Sequence, residues 1–92
     1  MKKIRINILI DFYTDKLSDI ANRVSVLAAT AQEDEKPNFH KIVNEAKSLF
    51  ADYIVFKAKA RKFIELLGMP YGQMWANEYE LRAAKYFDFL LN

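Results

Sequence analysis

The chain has 92 residues, of which 52% are hydrophobic and 28% charged, with a formal net charge of +2 and no cysteine. That length suits one domain, domains running typically to roughly 100–150 residues, and the apolar content is enough for a core, which excludes an intrinsically disordered chain. Without cysteine there is no disulfide framework, no thiolate catalysis and no cysteine-based zinc site, and so small a net charge gives no general argument for nucleic-acid binding.

The chain opens MKKIRINILIDFY. Two lysines followed by apolar residues have the outline of a secretory leader, but Arg5, Asn7 and Asp11 interrupt the run and no small-residue cleavage site follows. No stretch approaches ~20 uninterrupted apolar residues, so no membrane span is expected, and a cytoplasmic location is the default expectation. The many Lys, Ile, Asn, Phe and Tyr residues suit an AT-rich bacterial or phage genome.

The first element is a heptad ladder of Ile6, Ile10, Tyr13, Leu17, Ile20, Val24, Leu27 and Ala31, with spacings that alternate between four and three. An apolar residue every ~3.5 positions is the seam of a helix packed at a shallow angle on another, and it predicts a helix over about residues 4–32. Ile4, Ile6, Ile8 and Ile10 also alternate with the period of a strand, but nothing else in the chain offers such a strand a partner. In the connecting AQEDEKPNF, Glu33, Asp34 and Glu35 form a solvated acidic turn. Pro37 drives Lys36 out of helical geometry, and Pro37 or Asn38 opens the next helix.

The second ladder is Phe39, Ile42, Ala46, Leu49, Tyr53, Phe56, Ala60, Phe63 and Leu67, and it predicts a helix over about residues 38–67. It ends at ELLGMP, where Gly68 suits the left-handed position after the last turn and Pro70 prevents continuation. A third helix is predicted over about residues 71–91, with Trp75, Tyr79, Ala83, Tyr86 and Leu90 as its inner stripe and Ala76, Phe87 and Phe89 beside it. Gly72 in its first turn is unexpected, since glycine costs up to ~1 kcal/mol against alanine inside a helix, and it points to a tight approach at the corner.

Short connections make neighbouring helices antiparallel. The whole chain, residues 1–92, is therefore expected to be one all-α domain, a three-helix antiparallel bundle of a long hairpin and a shorter C-terminal helix, and to be oligomeric. Folding the hairpin sets Leu17 opposite Tyr53, Val24 opposite Ala46 and Ile10 opposite Ala60. The same register brings Arg5 to Glu65, Asp11 to Lys59 and Asp15 to Lys57. The second corner sets Trp75 against Phe63 and Ile64, Tyr79 against Ala60 and Tyr86 against Tyr53. The third helix, at ~1.5 Å per residue, is too short to cover the hairpin. The acidic-loop end is then expected to show Val24, Leu27, Phe39, Ile42, Val43 and Ala46 to water, a patch that two copies would bury as a four-helix core.

Chemistry-bearing residues are sparse. Lys57, Lys59, Arg61 and Lys62 make a basic run that suits phosphate or another anion, although a solvated face partly neutralised by Asp11, Asp15 and Glu65 is the commoner outcome. Asp11, Asp15 and Asp19 recur every four residues, but carboxylates in a row do not wrap a cation, and ion pairs such as Asp19 with Arg23 are expected instead. His40 stands alone in a first helical turn, and Ser18, Ser25 and Ser48 have no base nearby, so no catalytic residue, metal site or cofactor is predicted. Tyr53, Tyr71, Trp75, Tyr79 and Tyr86 suit core packing between helices, or the lining of a partner or ligand site. Met74 and Leu81, seven apart on an otherwise polar face, suggest a second contact surface.

The expectation is a non-enzymatic interaction protein, an adaptor, inhibitor or regulator, working by self-association and by binding a protein partner. Two alternatives stand beside it: a nucleic-acid accessory protein using the basic helix face, which is not favoured, and an oligomer that holds a small anionic ligand or nucleotide between subunits. No membrane partner is expected.

Overall fold

Alternating spacings of three and four put the apolar residues of each ladder on one side of a helix, and both ladders fold as predicted. The computed structural model describes residues 2–92; Met1, within the expected domain, lies outside them. The order is α1 (Lys3–Glu33), α2 (Phe39–Leu66), a single 3₁₀ turn at Tyr71–Gln73 and α3 (Trp75–Leu91), with no strand among the described residues. The helices form a bundle measuring 51 × 20 × 18 Å. In α1, Ile6, Ile10, Leu17, Ile20 and Val24 are buried and Tyr13, Leu27 and Ala31 half-buried; in α2, Ile42, Ala46, Tyr53, Ala60 and Phe63 are buried. Residues from Lys3 on are helical, so the alternating isoleucines are not a strand; Ile4 and Ile8 face water while Ile6 and Ile10 enter the core.

The helix ends form for local reasons. The Asn38 side chain accepts a hydrogen bond from the Lys41 backbone N–H at 3.1 Å and so caps α2. Gly68 has φ of 71°, its N–H donates to the Glu65 carbonyl at 2.9 Å, and the Met69 N–H donates to the Ile64 carbonyl at 3.2 Å. Those two bonds satisfy carbonyls that the last turn leaves open. Gly72 sits in the 3₁₀ turn with nothing within 4 Å of where a Cβ would stand, so the tight approach expected there is not present.

α3 departs from its predicted phase. Met74 is extended (ψ 150°), so the α-helix starts only at Trp75. The buried positions are Ala76, Glu80, Ala83 and Phe87; Tyr79 and Tyr86 are half-buried, and Trp75 is 69% exposed. The helix is turned by a fraction of a turn because two alanines allow close approach and Phe87 fills the space between Phe50 and Tyr53, at ring-centroid distances of 5.1 and 5.0 Å. The second corner therefore pairs Tyr53 with Phe87 where Tyr86 was expected, and Trp75 does not join Phe63 and Ile64 in the core.

α3 runs beside α1, and at its far end Phe87 and Leu91 share a cleft with Phe50 and Tyr53 of α2. Beyond that level the hairpin continues as two helices, with Ala28, Ile42 and Ala46 buried between them. Small residues on both sides bring the helices together closely, so Val24, Ile42 and Ala46, expected to be bare, are shielded within the single chain. At this end Phe39 is 59% exposed, and Leu27 and Val43 are half-buried.

Candidate interaction surfaces

A polar joint fastens α3 to α2. Glu80, only 6% exposed, accepts two bonds from the Arg61 guanidinium, from Nη2 at 2.7 Å and from Nε at 3.3 Å, and a further bond from the Tyr71 hydroxyl. The Tyr53 hydroxyl donates to the Glu80 backbone carbonyl at 3.1 Å. Arg61 also lies over the Tyr71 ring, 4.5 Å from its centroid. A buried carboxylate is tolerated only when paired and hydrogen-bonded, and this one is both. Its sequence signal was the spacing of Ala76, Glu80, Ala83 and Phe87, which repeats the four-three rhythm of the other two helices with a carboxylate in the seam.

The joint has a pH signature. Burial, first of all, then the hydrogen bond to Glu80 and the negative charge of Glu80, hold the Tyr71 hydroxyl well above its ordinary value of 10.0; burial and Glu80 raise Tyr53 as well. Below pH 10 both hydroxyls are protonated, folded or unfolded, and their contribution is complete. Above it the unfolded chain ionises first, so stability falls as pH rises. Thermal unfolding followed by circular dichroism is expected to show the melting temperature dropping above pH 10.0 in the native chain. Tyr71→Phe should melt lower at neutral pH, for loss of the bond to Glu80, but decline less steeply in alkali. Parallel curves for the two proteins would refute this role of Tyr71.

The residues of the basic run have different neighbours. Arg61 is committed to Glu80, the Lys57 ammonium lies 5.0 Å from the Tyr53 ring centroid, the Lys62 ammonium lies 5.8 Å from that of Phe63, and Lys59 is exposed. Among the described residues the ion pairs are Asp19–Arg23 at 3.3 Å, which was expected, Arg61–Glu80 and Glu78–Arg82. The expected pairs of Arg5 with Glu65, Asp11 with Lys59 and Asp15 with Lys57 do not form. Asp11 and Asp15 border a cleft with Trp75 and Tyr79 of α3, whereas Lys57 borders a different cleft with Asp88 and Leu91. The Met74–Leu81 surface is also not contiguous: Met74 is half-buried and packs against the core, and Leu81 alone is exposed. His40 is exposed in the first turn of α2. No group of three His, Cys, Asp or Glu residues among those described is arranged to hold a metal ion.

An open groove of about 540 Å³ lies between α1 and α2, lined by Asn22, Arg23, Val26, Leu27, Glu45, Ser48 and Leu49. No residue of α3 contributes to it. Its floor is apolar, Val26 on its rim is 65% exposed, and Arg23 and Glu45 stand on its opposite helices. Among the described residues, no helix is long and apolar enough to cross a membrane. Comparison with known proteins finds no matching family model, no matching curated protein and no matching solved structure.

Proposed function

We propose that the chain is a non-enzymatic interaction protein, an adaptor, inhibitor or regulator, that self-associates through the free side of its helical hairpin and presents its remaining surface to a protein partner. The observation that carries the reading is the apolar groove at Val26, Leu27 and Leu49, left open by α3. Phe39, exposed at the same end of the hairpin, adds apolar surface there. Soluble chains bury contiguous apolar surface of this kind against something.

A second copy is the occupant that suits the groove. In a two-fold interface each residue meets its counterpart's neighbour across the axis, so a patch must complement itself. Opposite charges on the two walls, Glu45 on α2 and Arg23 on α1, whose guanidinium also pairs with Asp19 within the chain, suit that condition, and two hairpins packed face to face make a four-helix core. Sedimentation velocity at micromolar concentration tests the reading. The native chain is expected to sediment as a species heavier than the 10.8 kDa monomer, while Val26→Asp and Leu27→Asp sediment as monomers with unchanged helical circular dichroism. A native chain that is monomeric throughout, or association that both variants leave intact, overturns it.

A further inference from the structure

The exposed Trp75 is unexplained by the fold. Core packing would have drawn it inward, and a two-fold contact at the groove leaves it untouched. Its indole is stacked on Tyr79, with ring centroids 6.2 Å apart and planes 26° from parallel, so the two rings form one aromatic wall. Facing that wall across an open cleft are Asp11, Thr14 and Asp15 of α1. Thr14 and Asp15 follow Asp11 by three and four residues, so all three lie on one side of the helix, with the Cβ atoms of the two aspartates about 5–6 Å apart.

Neither carboxylate has a lysine or arginine nitrogen within 4.0 Å among the described residues. The neighbouring Asp19, one turn further along, is neutralised by Arg23. Lys16 is turned away over the Phe12 ring, 5.3 Å from its centroid. Arg82 lies 5.9 Å from the Tyr79 centroid, but its ion pair is with Glu78 and it does not border the cleft. The cleft thus joins an aromatic face to two carboxylates without an ion-pair partner and a hydroxyl.

We infer that this cleft is a binding site for a guanidinium or alkylammonium group carried by an arginine- or lysine-bearing segment of a protein partner. A cation over an indole face is attracted by the ring quadrupole, tryptophan being the strongest of the aromatic rings in this respect, and the carboxylates supply the charge-assisted hydrogen bonds. The planar guanidinium fits best, since it stacks on a ring while its edge donates to carboxylates. The site rests on the reading of the chain as an interaction protein and gives the chemistry of the partner. It lies apart from the groove, so its success or failure is independent of self-association.

Trp75 is the chain's only tryptophan, so intrinsic fluorescence reports on the cleft directly. The full chain is titrated with Nα-acetyl-arginine amide, with a short arginine–glycine peptide and with tetramethylammonium, each against Nα-acetyl-glutamine amide and sodium chloride at matched ionic strength. Saturable change in Trp75 emission is expected for the arginine probes, tightest for the peptide, weakening as salt rises. Asp11→Asn combined with Asp15→Asn is expected to abolish it, while Asp19→Asn leaves it unchanged; circular dichroism of all variants verifies that they fold. A peptide no tighter than tetramethylammonium overturns the assignment to a protein segment. Emission that responds to no cation, responds equally to the neutral control, or survives loss of both carboxylates overturns the site itself. Sedimentation of the same samples separates this result from that at the groove.

Discussion

Glu80→Ala is expected to destabilise the protein by about 2–3 kcal/mol, the scale of a charge-assisted hydrogen bond lost together with a partner left unsatisfied. The Glu80 side chain is 9% exposed, whereas the Arg61 side chain is half exposed. Loss of Glu80 therefore strands the Tyr71 hydroxyl more than it strands Arg61, whose guanidinium returns partly to water. That keeps the expected cost below the ~3–5 kcal/mol of breaking a fully buried pair. For a domain of this size the melting temperature should fall by roughly 10–15 °C. Glu80→Gln, which retains an acceptor and the shape, should cost less. Denaturant unfolding of both variants measures the difference. If Glu80→Ala matches the native chain, the joint contributes nothing to stability, and the attachment of α3 must be explained by Phe87 and the alanines alone.

Phe87→Ala is expected to cost about 3–4 kcal/mol, as for other buried phenylalanines cut to alanine, because its ring fills the space between Phe50 and Tyr53 and the helices cannot fully close over the gap. Trp75→Ala, which removes a larger ring, is expected to change stability by no more than ~0.5 kcal/mol, since that ring is mostly exposed to water and stacks on Tyr79 outside the core. Chemical denaturation of the two variants side by side gives the answer. The reverse order would mean that α3 presents the face expected from its aromatic residues, with Trp75 inside.

That contrast marks the boundary of what the sequence discloses. Both long helices, the cap at Asn38, the left-handed Gly68 and the antiparallel hairpin were readable, because heptad spacing and helix-end chemistry are local and repeat many times. The Asp19–Arg23 pair was readable for the same reason, lying one helical turn apart. The phase of α3 was not. Its candidate stripes differ by one residue, and hydrophobicity favours the stripe that contains tryptophan and two tyrosines. The stripe that is buried contains a glutamate, and its acceptability depends on Arg61 and Tyr71 meeting it from elsewhere in the chain. The interhelical ion pairs failed for a related reason: register fixes the level at which residues stand, whereas the faces on which Asp11 and Lys57 stand are fixed by where α3 lies. The bare patch at the acidic-loop end shrank because Ala28 and Ala46 let two helices close without a third.

Concentration-dependent amide shifts offer the most direct test of self-association through the free side of the hairpin. Nitrogen–proton correlation spectra of the native chain, recorded from micromolar to millimolar concentration, report at once whether association occurs and where. The amides of residues 22–27 and 45–49 are expected to shift or broaden as concentration rises, with those of the exposed Glu78 and Leu81 of α3 unmoved. Spectra that do not change with concentration, or changes confined to the exposed Ile4, Ile8 and Phe12 at the opposite end of α1, would contradict it.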